Sequence, residues 1–131
     1  MLIIKNILNK GRGVFTDTPI AKDDVIEICP ILELSAADAE IIEQTIVGSY
    51  IYTYQEGRSC LVFGYGSLYN HSKQPNIRVL DYYDKGEFHV IAKRHIKAGE
   101  ELLLDYDDEN SGREIIFVEG GWQFADTGTR D

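Results

Sequence analysis

Gly64-Tyr-Gly-Ser-Leu-Tyr-Asn-His-Ser-Lys-Gln-Pro-Asn-Ile77 lies between apolar runs near the middle of a 131-residue chain. Gly, Asn, Ser and Pro each favour a turn through their own backbone chemistry, so the stretch reads as a loop dense in polar side chains. Two short motifs overlap it, and neither stands alone. Asn70-His71-Ser72 has the Asn-x-Ser glycosylation spacing, which carries weight only behind a secretory leader. Gly64-Tyr-Gly-Ser-Leu-Tyr69 begins like a dinucleotide-binding loop, but Tyr69 stands where the third glycine belongs and no strand-helix-strand unit surrounds it.

Around the loop, the composition is that of one globular domain: 44% hydrophobic and 27% charged residues, enough for a single core and too little chain for two. The N-terminal apolar run Met1-Leu-Ile-Ile4 is interrupted by Lys5 and Asn6 and has no small-residue cleavage site. Neither a signal peptide nor a membrane span is expected, which implies an intracellular, cytoplasmic protein, or a nuclear one in a eukaryotic or viral setting. Lys plus Arg number 13 against 22 Asp plus Glu, a formal charge of −9. That field opposes nucleic acid and anionic membranes and favours a basic partner. Cys29 and Cys60 lack the density of a disulfide framework and the clustering of a zinc site, and read as buried thiols.

The pattern along the chain is mainly β with short helices. Leu2–Leu8 and Val14–Thr16 flank a turn at Lys10-Gly-Arg-Gly13, and Val25–Ile28 and Ile31–Leu34 read as strands bent at Pro30. Ser35 caps a helix over Ala39–Val47, with Ile41, Ile42 and Ile46 at helical spacing. Tyr50–Tyr54 and Cys60–Phe63 form one hairpin; Ile77–Tyr83 and Phe88–Ala92 form another, turning at Asp84-Lys-Gly86. Ile96–Glu100 is a turn leading into Leu102–Tyr106, and the sequence from Asp107 on is acidic and irregular.

His71, His89 and His95 lack ligand spacing, so no metal site is expected. A triad of Ser72, His71 and Asp105 fails because adjacent residues do not readily aim at one another. Tyr106 ends an apolar strand on a phenol just before acidic sequence, which suits a core tyrosine with a satisfied hydroxyl or a functional one.

Three segments in order, Lys10-Gly-Arg-Gly-Val-Phe15, Tyr69-Asn-His-Ser-Lys-Gln-Pro-Asn76 and Gly99-Glu-Glu-Leu-Leu-Leu-Asp-Tyr106, resemble the SET domain family of protein-lysine methyltransferases. The resemblance covers roughly residues 2 to 108. In length and pattern the chain is similar to the compact stand-alone SET proteins of bacteria and large DNA viruses. It implies a β-clip-like fold of several small sheets with a knot-like core, the C-terminal segment threading beside the Asn-His loop. It also divides the chain into a SET domain over 1–110 and a tail over 111–131 that packs as a lid over the lysine channel.

The implied activity is transfer of a methyl group from S-adenosylmethionine to a lysine ε-amine in a basic protein segment, of histone-like or ribosomal type. Residue by residue, Gly11, Arg12 and Gly13 would approach the cofactor, Asn70 and His71 would hold it, and Tyr106 would touch it as the catalytic tyrosine. Tyr50 and Tyr106 would wall the lysine channel. Elementary chemistry agrees with these roles: glycines admit a close backbone approach, Asn both donates and accepts, and carbonyls and aromatic faces stabilise a sulfonium without a metal. A rival reading, motivated by a missing closing aromatic, is an inactive SET-fold module that binds a basic peptide or the cofactor. No cysteine cluster follows the domain, and the residues after Tyr106 are Asp107-Asp-Glu-Asn110 where small relatives carry an aromatic; Phe117, Trp122, Phe124 or a partner chain in a homodimer would then close the channel.

Overall fold

The computed structural model describes residues 1–9, 11–53, 58–106, 115–118 and 121–124. Strands β1 (Leu2–Ile7) and β2 (Gly11–Thr16) form an antiparallel hairpin closing at the Ile7↔Gly11 pair. Its corner needs left-handed backbone at Asn9 (φ 69°) and Gly11 (φ 74°), conformations that Asn and Gly adopt at least cost. Thus Gly11–Gly13 belongs to the strand, and the expected turn lies one step earlier.

A five-stranded sheet follows, in the order β4 (Ile51–Thr53), β5 (Ser59–Val62), β3 (Val25–Leu34), β8 (Glu87–Ala92) and β7 (Ile77–Tyr82). β3 is continuous where a bend at Pro30 was expected. It pairs with β8 up to Pro30↔Glu87 and with β5 from Ile31↔Val62 onward. Pro30 sits at the handover between partners, where its missing N–H does not break a ladder, and its carbonyl still accepts from Phe63 N at 2.9 Å. The β7–β8 hairpin forms as its sequence indicates, with Gly86 left-handed at φ 69°.

Helix α1 spans Ala36–Ile42, capped by Ser35 Oγ, which accepts from Asp38 N at 3.0 Å. It is shorter than its apolar spacing suggests. Thr45 starts a separate 3-10 turn, Ile46–Tyr50, and a Cβ on Gly48 would stand 2.8 Å from Glu43 Cα, so the chain folds back tightly on the helix end. Ile41 and Ile46 are exposed and only Ala39 of the helix is buried. In the tail, β10 (Ile115–Val118) and β11 (Gly121–Phe124) form an antiparallel hairpin, and the backbone of β11 runs beside the 3-10 turn. The tail is therefore not wholly irregular.

Below the sheet, Cys29, Cys60, Val62, Phe88, Val90 and Ala92 meet Val14, Ile77, Ile96, Leu102 and Leu104 in one core. Each fully buried aliphatic chain there contributes about 1.5–3 kcal/mol. Both thiols are buried and free, and burial pushes each up to about 12.

The C-terminal segment joins the rest. Residues 99–102 run against β2, with Gly99 N to Thr16 O at 2.7 Å and Leu102 N to Val14 O at 2.8 Å. The chain then turns parallel to β6 (Asn70–His71) as β9 (Leu103–Leu104), with Asn70↔Leu103 and His71↔Leu104 in register. A segment late in the chain thus passes beside both earlier motifs, the threading expected from the sequence.

Candidate active site

The three sequence motifs meet around Asn70, which is 4% exposed. Its amide Nδ2 donates to the Arg12 carbonyl at 2.8 Å and to Glu101 Oε2 at 2.7 Å. One side chain therefore ties the first motif to the third, and both of its amide protons are committed within the protein. Gly13 is what makes room for this tie. A Cβ there would stand 2.3 Å from Glu101 Oε2, 2.5 Å from Ile7 Cδ1 and 2.9 Å from Asn70 Nδ2. The backbone at Gly13 is approached by the protein's own side chains.

Asn76, 1% exposed, repeats the device one turn on. Its Oδ1 accepts from Leu103 N at 2.7 Å and its Nδ2 donates to the Glu101 carbonyl at 2.8 Å. With Asn76 N on Leu103 O at 3.0 Å, Leu103 is held by backbone and side chain of the same residue.

His71 is buried, and its Nδ1 accepts from Tyr106 N at 3.0 Å. That bond places the neutral ring's proton on Nε2. The His71 and Tyr106 rings lie 5.2 Å apart at 47°, and Asp105 Oδ1 stands 3.8 Å from His71 Nδ1 and 3.6 Å from Lys73 Nζ. Ser72 Oγ accepts from Gln74 N at 3.0 Å, a local turn bond that suits a structural role.

The Tyr106 hydroxyl donates to the main-chain carbonyl of Tyr69. With its one proton so engaged, the oxygen presents itself to any further group as an acceptor. Burial first, then the neighbouring Tyr50 and Glu101, push this phenol well above the ordinary tyrosine value, so it keeps its proton at neutral pH. Tyr50, at the end of the 3-10 turn, is half-buried and carries the Arg12 guanidinium 5.9 Å above its ring. Tyr52 points inward, its hydroxyl donating to Gly66 O at 2.6 Å, and its ring meets Phe88 edge-on.

The structure thus brings Arg12, Gly13, Tyr50, Asn70, His71 and Tyr106 together, while Gly11 occupies the hairpin corner. Sequence reasoning overlooked Glu101, Asn76 and Glu27. Glu101 and Asn76 lay inside the quoted motifs as polar residues standing directly before an apolar residue. Glu27 was the lone acid in the apolar strand Val25-Ile-Glu-Ile28.

The set is electron-rich: two carbonyl oxygens, a carboxylate and two phenols within one connected network. Such donors suit a cationic ligand, a sulfonium or an amine. Among the described residues no group of three or more His, Cys, Asp or Glu is placed to hold a metal ion, and no helix is long and apolar enough to cross a membrane.

Comparison with known proteins agrees with this geometry. The SET domain family model matches residues 11–107, and the chain belongs to that family. It is 36% identical to a histone-lysine N-methyltransferase of Schizosaccharomyces pombe named as specific for H3 lysine-37, over 82% of this chain and 74% of that protein. It is 31% identical to the histone-lysine N-methyltransferase set-1 of Caenorhabditis elegans, over 78% of this chain and 48% of that protein. The chain thus spans about half the length of this second relative. Among solved structures, CpSET8 of Cryptosporidium aligns with a TM-score of 0.64 at 31% identity, covering 82% of this chain and 57% of that one. These matches support methyl transfer to protein lysine as the activity and do not favour a binding module without turnover.

Proposed function

We propose that the chain transfers a methyl group from S-adenosylmethionine to the ε-amine of a lysine in a basic, histone-like or ribosomal protein segment, with Tyr106 as the catalytic tyrosine. The observation that carries this reading is the part-buried Tyr106 hydroxyl, which donates to the Tyr69 carbonyl and so presents its oxygen to a further group as an acceptor. The chemistry the cofactor supplies is an electrophilic methyl carried on a sulfonium. Arg12 O, Asn70 and His71 would hold it, with Gly11 and Gly13 shaping the backbone alongside. Asn70 serves chiefly by fixing the Arg12 carbonyl and Glu101, since its amide protons are spent on them.

Methyl transfer needs a neutral lysine amine, and presenting that form at pH 7 costs about 4–5 kcal/mol for an unperturbed lysine. A channel walled by Tyr50 and Tyr106 lowers this cost by desolvating the ammonium form and fixes the line of attack. A phenol with a raised pKa is a poor general base. Tyr106 therefore acts by accepting from the amine or the moving methyl and holding them in line. The tail supports its reading as a lid, because β11 runs beside the turn that ends on Tyr50. The net charge of −9 favours basic protein substrates and opposes nucleic acid, and catalysis asks nothing of a metal in this scheme.

Transfer of a labelled methyl group to a lysine-rich histone-like protein tests the reading. Tyr106→Phe is expected to lower the rate by about 10²-fold or more, while calorimetry finds cofactor affinity changed only a few-fold. Undiminished transfer in that variant would overturn the assignment.

A further inference from the structure

The carbonyl that receives the Tyr106 hydroxyl belongs to Tyr69, and Tyr69 is itself held from below. Its side chain is 1% exposed and its hydroxyl donates to Glu27 Oε1 at 2.5 Å. The other oxygen of the same carboxylate, Oε2, accepts from Tyr65 N at 3.3 Å. Glu27 therefore grips both ends of the turn 65–69 from the central strand β3. A bond from a phenol to an ionised carboxylate is roughly twice as strong as a neutral one. The turn has further ties: Tyr52 donates to Gly66 O at 2.6 Å and Ser67 Oγ to Val62 O at 2.9 Å. Gly64 enters the turn with φ 68°, and a Cβ there would stand 2.9 Å from Glu27 Oε2, so a side chain at 64 would be strained and would crowd the carboxylate. None of these groups forms part of the proposed cofactor or lysine contacts.

We infer that Glu27, acting through the Tyr69 hydroxyl, is a positioning residue that sets where the Tyr106 hydroxyl stands. The inference rests on the proposed role of Tyr106. It extends the site from the surface of the cleft back to the centre of the five-stranded sheet. The path is covalent and hydrogen-bonded throughout: Glu27 carboxylate, Tyr69 ring, Tyr69 main chain, Tyr106 hydroxyl. Loosening its root lets the carbonyl drift. A displacement on the order of 1 Å at a reacting group costs up to about 100-fold in rate, whereas the cofactor and peptide surfaces stay intact.

Single-turnover methyl transfer at saturating S-adenosylmethionine and histone-like protein reads the effect. Tyr69→Phe and Glu27→Ala are each expected to slow transfer by about 10-fold to 100-fold, with KM for the protein substrate and Kd for the cofactor within about twofold of the parent. Glu27→Gln keeps an oxygen to accept from Tyr69 and is expected to recover most of the rate. The double variant Glu27→Ala/Tyr69→Phe is expected to be no slower than the worse single one, because the two residues act in series. Transfer within twofold of the parent in a folded Tyr69→Phe protein, or losses that multiply in the double variant, would overturn the inference. Should Glu27→Ala fail to fold, Tyr69→Phe and Glu27→Gln carry the comparison.

A second measurement needs no turnover. In protein labelled with 13C at the tyrosine ζ-carbon, the Tyr106 resonance, assigned by its loss in Tyr106→Phe, reports the hydroxyl's hydrogen bond. It is expected to shift in Tyr69→Phe, and a resonance that stays put would overturn the inference by itself. If the parent protein transfers no methyl while the resonance shifts as expected, the lysine-methylation reading fails and the structural linkage stands.

Discussion

β3 and β8 pair from Val25↔Ile91 to Pro30↔Glu87 with one register shift between Val25 and Glu27, whereas β6 and β9 meet over only Asn70↔Leu103 and His71↔Leu104. In the sheet, main-chain ladders and an apolar underside do the holding, so many side chains of suitable volume would serve. At the crossing there is almost no ladder. Asn70, Asn76 and His71 supply through side chains what the short strands lack, bonding the main chain of Arg12, Leu103, Glu101 and Tyr106. Glu27 apart, side-chain identity is replaceable in the sheet and fixed at the crossing, and the proposed cofactor and lysine contacts lie at the crossing.

Substitutions can break or sharpen that contrast. Asn70→Ala removes the donor shared by the Arg12 carbonyl and the Glu101 carboxylate in a part-buried setting, and is expected to cost about 3 kcal/mol of unfolding free energy by urea titration. It should also abolish cofactor binding by calorimetry. A loss under about 1 kcal/mol would show that the crossing is held by something else. Asn76→Ala touches no proposed ligand contact and is expected to cost about 2–3 kcal/mol through Leu103 N and Glu101 O. In the sheet, Val90→Ala beneath and Leu32→Thr above form a matched pair. Val90 is fully buried and Leu32 is 50% exposed, so the first is expected to cost about 2 kcal/mol and the second to stay within about 0.5 kcal/mol.

The smallest effect is a titration. Glu100 accepts from Arg94 and from Lys97 N, which hold its carboxyl down at about 2. A depressed carboxylate contributes stability that is fully present above its unfolded value near 4.5 and is lost as pH falls from there through about 2. Because Glu100 is 31% and Arg94 53% exposed, solvent limits the contribution to under about 1 kcal/mol. Stability measured between pH 5 and pH 2 should fall slightly less steeply in Glu100→Gln than in the parent.

The same contrast explains what was legible before the structure. The β7–β8 hairpin announces itself, because alternating β-formers flanking Asp84-Lys-Gly86 specify a turn locally. Asn70, His71 and Tyr106 were legible as members of ordered motifs, since few residue types fit a crossing without ladders. Less was visible wherever a residue's job depends on what stands opposite. Pro30 looked like a bend because its two partner strands are distant in sequence. Ile41 and Ile46 looked like a core face, yet the helix stops where Gly48 folds against Glu43. At Gly13 an added Cβ would meet Glu101, Ile7 and Asn70, neighbours that the local sequence does not name. Glu27 was mute, because nothing in Val25-Ile-Glu-Ile28 names a tyrosine hydroxyl 42 residues on. Residues 54–57 lie outside the described residues.

The parallel run of β9 beside β6 has a further consequence, in time. Asn70 reaches Glu101 across 31 residues and Tyr106 reaches His71 across 35, with the β7–β8 hairpin between the two ends. Folding that hairpin shortens the loop that the crossing has to close. A nascent chain cut short of Glu101 would hold every strand of the five-stranded sheet and no site at all. Competence would arrive only with the segment that carries Tyr106.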